Sequence, residues 1–436
     1  MHHIQVVRNG FPDAKFFGNT FVALNLVKEI ENSELVAKIK EGFSQQDQHD
    51  WQNAALENLG MNVSYCQYLD QSSSTNKLIE IVKDGLRTNR QVVVNYHFPE
   101  TDMQERLLSM LPKIFGKNVK QYMHLHCSAD FFFKNAKTKD ERKKNLIELQ
   151  EKGLISKYIA VSYEVRISFE EYLPAESMEV VRNGVSEDIY TFRPERDRDA
   201  FKNQFDVEGK FIIGYSGRLD AIKGYHDIIA ILKWFDQKPE FDVGFLIASP
   251  GGTMMNFFNA DLKRCAPRLL SENRIGTVLD VAKLTGGKKG LNDLAYSYFD
   301  KFGEELILPR CQTYQGITSV PLQAMVDVYI QPSESEGLPL SVIEAVFTGT
   351  PAVAYRVGGI QEIISDTNGK LIDHHKKMRV RVNNFCEAIL YEIEQNYQMD
   401  GLKDTAQYRE ETRTRLLPEF GAKAMAERTL AVYNKK

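Results

Sequence analysis

Two stretches of this chain gather side chains suited to handling a small anion. One is Gly214-Tyr215-Ser216-Gly217-Arg218-Leu219-Asp220-Ala221-Ile222-Lys223-Gly224, where glycines frame a turn carrying one guanidinium and one ammonium. A guanidinium can fork onto two phosphate oxygens, and an ammonium acts as a point charge. Arg218 and Lys223 could therefore neutralise a departing diphosphate without a metal. Both are expected in an exposed turn. The other stretch covers residues 331–345, where an apolar strand at 328–331 runs into Pro332-Ser333-Glu334-Ser335-Glu336-Gly337. A helix is expected from about Leu338, with Pro339 in its first turn, where a missing N–H costs nothing. Gly337 lets the backbone approach a ligand closely, and the helix start offers N–H groups and the positive end of a dipole. Glu336 precedes the helix and Glu344 lies two turns inside it, so both can face one ligand. Taken singly, the first stretch also reads as a turn with solvated basic residues, and the second as a helix start with acidic caps.

The elements that would hold these turns can be read from hydrophobic spacing. Short apolar runs at 4–7, 63–68, 91–95, 120–125, 157–161 and 178–181 alternate with helical patterns at 22–30, 76–86, 103–114 and 141–149. The alternation restarts with strands at 211–215, 243–248, 328–331 and 352–355 and helices at 225–235, 255–269 and 340–347. Strands alternating with helices imply parallel β-α-β units and a doubly wound sheet. Between them, Arg193-Pro194-Glu195-Arg196-Asp197-Arg198-Asp199 is charged and without period, and is expected to be the connection. A length of 436 residues suits two domains, and 43% hydrophobic content can fill both cores. The expected division is 1–195, 205–415 and a last amphipathic helix over 417–433 that packs back on the first domain, within a segment 416–436.

A net charge of −4 argues against nucleic-acid binding. Cys66, Cys127, Cys265, Cys311 and Cys386 are scattered and odd in number, which reads as reduced thiols in a cytoplasmic protein. No secretory leader and no membrane-spanning run is expected.

The two anion-handling stretches, taken together, resemble a known group. Glu336 and Glu344 match the Glu-x7-Glu signature of retaining glycosyltransferases with the GT-B fold, and Gly217-Arg218-Leu219…Lys223-Gly224 matches that group's basic turn. Gly349-Thr350-Pro351-Ala352-Val353-Ala354-Tyr355 with Gly358-Gly359-Ile360-Gln361-Glu362, and Asn183-Gly184-Val185 with Phe192-Arg193-Pro194, fit it too. The chain therefore resembles glycosyltransferase family 4, the glycogen-synthase-like glycosyl transferases group 1, most specifically over residues 180–370. The resemblance implies two Rossmann-like α/β domains facing a cleft, and transfer of a hexose or N-acetylhexosamine with retention. The donor would be a nucleotide-diphospho-sugar, with a UDP-sugar expected, and the acceptor a carbohydrate or lipid-linked one: a glycan, a glycolipid or another acceptor hydroxyl. It implies that Arg218 and Lys223 hold the diphosphate, that Glu344 meets the ribose, and that Glu336, Gly337 and Leu338 meet the donor sugar, without a metal or further cofactor.

In the first domain the resemblance is weaker. The expected glycine loop is Phe17-Gly18-Asn19, without the usual second glycine. A histidine near the transferred sugar is best matched by His126, with His97 second and His124 expected on the opposite face. Thr285-Gly286-Gly287-Lys288-Lys289-Gly290 lacks phosphate-loop spacing and reads as a surface insertion. Asp197-Arg198-Asp199 has the form of a metal-binding Asp-x-Asp, but sits in the charged connection and reads as solvated. The basic residues of 134–144 leave a weak contact with the inner face of a membrane open, a solvated helix face being the plainer reading. The other functions weighed are a non-catalytic GT-B partner or glycan-binding protein, and a disaccharide phosphorylase.

Overall fold

The computed structural model describes residues 1–7, 18–39, 62–67, 72–97, 101–134, 139–188, 190, 207, 209–249, 254–279, 322–399 and 405–435. It divides into two compact units, and among the described residues the boundary falls between Gly184 and Val185, ahead of the charged run. That run lies outside the described residues, as do the 285–290 insertion and the Asp-x-Asp.

The first unit is built on seven described strands: β1 (His2–Val7), β2 (Ser33–Ile39), β3 (Asn62–Gln67), β4 (Val92–Tyr96), β5 (Val119–Leu125), β6 (Lys157–Ala160) and β7 (Met178–Val180). They lie in the order β3-β2-β1-β4-β5-β6-β7, every pair parallel. The helices between them include α1 (Gly18–Glu29), α2 (Ser72–Thr88), α3 (Thr101–Phe115), α4 (Lys139–Glu151) and α5 (Tyr163–Phe169). Parallel strands covered on both faces read as unbroken apolar runs, and Val92, Val93 and Val94 of β4 are fully buried.

The second unit carries β8 (Phe211–Ser216), β9 (Val243–Ser249), β10 (Ile275–Leu279), β11 (Val328–Gln331), β12 (Ala352–Tyr355) and β13 (Gly369–Ile372), in the parallel order β10-β9-β8-β11-β12-β13. Its helices include α6 (Tyr225–Asp236), α7 (Met255–Cys265), α8 (Leu340–Phe347), α9 (Met378–Met399) and most of α10 (Thr405–Phe420). Residues from Glu419 onward belong to the first unit. Their helix α11 (Ala422–Asn434) packs on α1, and the Tyr433 ring lies 4.6 Å from that of Tyr122.

Several sequence expectations are corrected. The pattern at 255–269 is two helices, because Pro267 disfavours helical backbone at Ala266, which sits at φ −137° and ψ 51°. The single helix expected over 417–433 is broken at Gly421, which is extended and caps α11. Helix α8 begins at Leu340, with Pro339 as its extended cap and outside its first turn. Strands β2, β10 and β13 were not foreseen. In β2, Glu34 and Lys38 interrupt the apolar run that marks a buried parallel strand.

Each sheet reverses its direction of winding once among the described strands, between β1 and β4 and between β8 and β11. Open α/β sheets open a crevice at such a point, beyond the carboxyl ends of the strands.

Candidate functional site

In the second unit the basic turn follows β8 and the Glu336 turn follows β11, so the order reversal itself brings the two together. Asp220 caps a 3-10 turn over Ala221–Lys223, its Oδ1 accepting from the Lys223 N–H at 3.0 Å. The turn ends on Gly224 at φ 79°, where a Cβ would collide with the Pro332 carbonyl. The Glu334 N–H donates to the Ile222 carbonyl at 2.8 Å. From the other side Gly358, at φ 52°, lies against the Glu336 carbonyl, and the Gly359 N–H donates to the Gly337 carbonyl at 2.8 Å. Glycine is required at both contacts, because no other residue combines left-handed backbone with so close an approach.

This backbone frame sets the charges. Lys223 Nζ lies 2.7 and 2.8 Å from the two carboxylate oxygens of Glu336, a side chain only 6% exposed. Arg218 pairs with Asp220 at 3.1 Å. Lys223 is therefore half-buried and ion-paired, which corrects the expectation of an exposed turn. Glu336 Oε1 also accepts from Gln331 Nε2 at 3.0 Å, and Gln331 Nε2 donates to Ser333 Oγ at 2.7 Å. Gln331 Oε1 accepts from Ser341 Oγ and from the Tyr329 hydroxyl, both at 3.1 Å. The same Tyr329 hydroxyl reaches the Ser216 carbonyl at 3.0 Å and accepts from the Ser216 N–H at 3.3 Å. Tyr329 and Gln331 thus brace the arginine turn against the glutamate turn. The Tyr215 hydroxyl donates to the Arg218 carbonyl at 2.8 Å, and a Cβ on Gly217 would come 2.8 Å from it. Burial first, then Tyr329, Glu336 and Asp220, push the Tyr215 phenol well above its ordinary range, so it stays a donor.

Leu338 is buried ahead of α8, and the first i to i−4 bond of the helix runs from the Ile343 N–H to the Pro339 carbonyl at 3.3 Å. The amides of residues 340–342 precede that bond, which is the arrangement that attracts an anion. Glu344 is buried within α8 and accepts from Gln323 Nε2 at 2.7 Å, while the Gln323 carbonyl accepts from Thr350 Oγ1 at 2.6 Å. Beside the turn, ligand atoms of Asp227, Glu334 and His374 lie within 4.8 Å of one another. Arg381 already grips Asp227 through contacts of 2.9, 3.1 and 3.0 Å, so a guanidinium fills the cation's place there.

At the reversal point of the first sheet the side chains are neutral. Gln5 on β1, Asn95 and His97 on and just past β4, and His124 and His126 on and just past β5 form one polar cluster. Asn95 Nδ2 lies 2.8 Å from Gln5 Oε1 and 2.8 Å from His124 Nδ1, and His97 Nδ1 lies 3.1 Å from His126 Nε2. The rings of His97 and His124 stack at 4.4 Å, and that of His126 lies 5.3 and 5.5 Å from them. His124 and His126 therefore share a face, against expectation, because residues two apart on a strand point the same way. Burial holds all three imidazoles below their ordinary range, His126 down to about 3. The neighbouring Cys127 thiol is pushed up to about 12 by burial and is no nucleophile at neutral pH. Gly18 opens α1, and Phe17 before it lies outside the described residues. In the basic stretch of α4, Lys144 is exposed and pairs with Glu148 at 3.7 Å. No described helix is long and apolar enough to cross a membrane.

Tyr215, Gln323, Tyr329, Gln331, Gln5 and Asn95 were not singled out from the sequence. The last three carried a usable signal, since an amide inside an apolar parallel strand needs a buried partner.

The family model described as Glycosyl transferases group 1 matches residues 312–387, a span that contains the Glu336 turn, α8 and the Gly358-Gly359 turn. A sulfoquinovosyl transferase of Arabidopsis thaliana is 49% identical over 59 residues, which are 13% of this chain and 12% of that protein. A D-inositol 3-phosphate glycosyltransferase of Corynebacterium urealyticum is 27% identical over 165 residues, 37% of this chain and 31% of its own length. The matched stretches thus span less than a third of either relative. In structure the chain is similar to Alr3699/HepE of Anabaena in complex with UDP and glucose, with a TM-score of 0.66 and 16% identity over 100% of both chains. Two Rossmann-like α/β units with this topology are the GT-B glycosyltransferase fold.

Proposed function

We propose that this chain is a glycosyltransferase that takes a sugar from a nucleotide-diphospho-sugar and passes it to an acceptor hydroxyl, with retention at the anomeric carbon and without a metal. One observation carries the reading. At the reversal point of the second sheet, a guanidinium, an ammonium and the start of α8 are locked into one small region by backbone contacts. Such a frame stabilises charge that builds on a leaving diphosphate, and it needs no rearrangement as that charge develops.

In this assignment Arg218 and Lys223 act on the diphosphate, and Glu336, Gly337 and Leu338 meet the donor sugar. Glu344 takes the nucleotide ribose, Gly217 and Gly18 let backbone approach the donor, and His126 meets a hydroxyl of the transferred sugar. Glu336 would share Lys223 with the incoming phosphate, because its carboxylate already holds the ammonium in place. The neighbour that holds UDP and glucose supports a UDP-sugar as donor. One relative is named as a sulfoquinovosyl transferase and the other as a D-inositol 3-phosphate glycosyltransferase, which supports transferase chemistry; the acceptor in this reading is a glycan, a glycolipid or another hydroxyl.

Melting curves with UDP, GDP, ADP and inorganic phosphate, each with and without chelator, test this reading. A diphosphonucleotide at 100 times its dissociation constant should add about 2.7 kcal/mol. UDP stabilisation that survives chelation is expected. Stabilisation by phosphate alone, or by UDP only when magnesium or manganese is added, would overturn it.

A further inference from the structure

His97 and His126 compete in the sequence for one role, and burial separates them. His97 is 0% exposed and cannot reach a ligand, whereas His126 is half-buried just beyond β5. With the Gln5 amide oriented as in this structure, the contacts of His97 favour one arrangement of protons. Gln5 Oε1 can only accept, and it lies 2.9 Å from His97 Nε2, so that nitrogen carries the proton. Asn95 Nδ2 has two hydrogens. One goes to Gln5 Oε1 at 2.8 Å, and the other has His124 Nδ1 at 2.8 Å ahead of the more distant His97 Nε2 at 3.2 Å, His124 Nδ1 lying also 3.0 Å from Asn95 Oδ1. With Nε2 protonated and the ring neutral, His97 Nδ1 is a bare lone pair. It faces His126 Nε2 at 3.1 Å, which must then be the protonated nitrogen of His126. Three packed rings with centroids 4.4 to 5.5 Å apart also disfavour a charge on any one of them.

We propose that Gln5 and His97 are positioning residues that fix the tautomer of His126, so that its Nδ1 stands as a hydrogen-bond acceptor toward a sugar hydroxyl. The proton chain runs from His126 Nε2–H to His97 Nδ1, and from His97 Nε2–H to Gln5 Oε1. The nature of the hydroxyl rests on the transferase reading; the tautomer does not. The second nitrogen of an imidazole is fixed by what the first one bonds, so a side chain two steps away decides what His126 offers.

Long-range proton–nitrogen correlation spectra of the histidines in the full chain test this at neutral pH. His126 should show a single tautomer protonated at Nε2. Gln5→Met removes the terminal acceptor at similar volume, and His97→Phe keeps a ring in the stack while deleting both nitrogens. Each should turn His126 into a tautomer mixture. Each should also lower kcat/KM for a UDP-sugar by roughly tenfold, the usual scale for groups that orient a contacting residue, while UDP binding stays within twofold. His126 protonated at Nδ1 or mixed in the wild-type chain overturns the proposal, as do variants that leave its tautomer unchanged. Should either variant fail to fold, the wild-type tautomer still decides. A wild-type chain with the Nε2 tautomer and no transfer from any sugar nucleotide would uphold the proton chain and sink the transferase reading instead.

Discussion

The two sheets share a winding plan and differ in what they carry where it reverses. At the β8/β11 junction the side chains are charged and paired, Lys223 with Glu336 and Arg218 with Asp220. At the β1/β4 junction they are neutral amides and imidazoles, bonded in a continuous cluster. The same crevice geometry therefore supports two kinds of recognition. Fixed charges suit a phosphate, whose charge grows during transfer. A neutral cluster suits hydroxyl groups, which need direction more than charge. The difference also governs how each region should fail.

Acidification should separate them most strongly. Burial first, then the neighbouring imidazoles, hold His97 and His124 well below their ordinary value of 6.5. Below that value the unfolded chain binds protons that the folded chain refuses, so their contribution is complete above about pH 6.5 and is lost as the pH falls. Each ring contributes to this loss at a slope that approaches about 1.4 kcal/mol per pH unit below pH 6.5. The second unit has an opposite-signed group in Glu392 on α9, whose carboxyl burial raises to about 7. Between its ordinary 4.5 and that value the folded state binds the extra proton, so stability there improves as the pH falls. Hydrogen exchange resolved by segment at pH 7 and pH 5 should show faster exchange in β1, β4 and β5 and no such rise around Glu392. Equal losses in both places would remove the contrast.

The charged junction was legible in the sequence and the neutral one only in part. Arg218, Lys223, Glu336 and Glu344 stand out because two stretches, each readable alone as a solvated turn or a capped helix start, together resemble the signature of a known group. Their pairing was hidden, since nothing local to residue 223 announces a carboxylate 113 positions later. The histidines of β4 and β5 were noticed one by one. Their meeting depends on β1, β4 and β5 lying side by side, an order that alternating apolar runs do not specify. Gln5 and Asn95 drew no notice inside their apolar strands, although an amide at such a position implies a partner on the adjacent strand. Element types were read well where the runs were long and apolar, and lost where Glu34 and Lys38 broke the pattern of β2 or Pro267 cut a helix in two.

The next largest effect should come from the two cations. Arg218→Ala and Lys223→Ala should each lower turnover about 100-fold or more, as loss of a group acting on transition-state charge commonly does. Their folding costs should differ. Arg218 is partly exposed and pairs with Asp220 at 3.1 Å, so its removal should cost within about 0.5 kcal/mol. Removing Lys223 strands the buried Glu336 carboxylate, a penalty of about 1–3 kcal/mol. Adding Glu336→Gln to Lys223→Ala should return the melting temperature without returning turnover. Initial rates at saturating donor, paired with melting curves, check both halves. Rates close to wild type in both alanine variants would remove the phosphate assignment and leave the pairs as structure alone.

Tyr329→Phe should give the smallest change, and it tests whether the charged junction depends on its brace. The Tyr329 ring is fully buried, and phenylalanine fills the same space, so packing is preserved. What is lost is one hydroxyl that touches the Ser216 backbone at 3.0 and 3.3 Å and Gln331 Oε1 at 3.1 Å. Gln331 keeps its bond from Ser341 and still holds Glu336, so the ion pair to Lys223 should survive. The turn that carries Arg218 loses a tie to the turn that carries Glu336. Folding should weaken by about 1 kcal/mol, the net scale of a buried hydrogen bond. Turnover should fall only a few-fold, with Arg218 and Lys223 still present but held less firmly relative to each other. Activity and melting both at wild-type values would mean that the backbone contacts of Gly224 and Gly358 set the geometry unaided. A loss as deep as that of Lys223→Ala would mean that the hydroxyl acts on the donor itself, for a brace alone cannot cost more than the charge it positions.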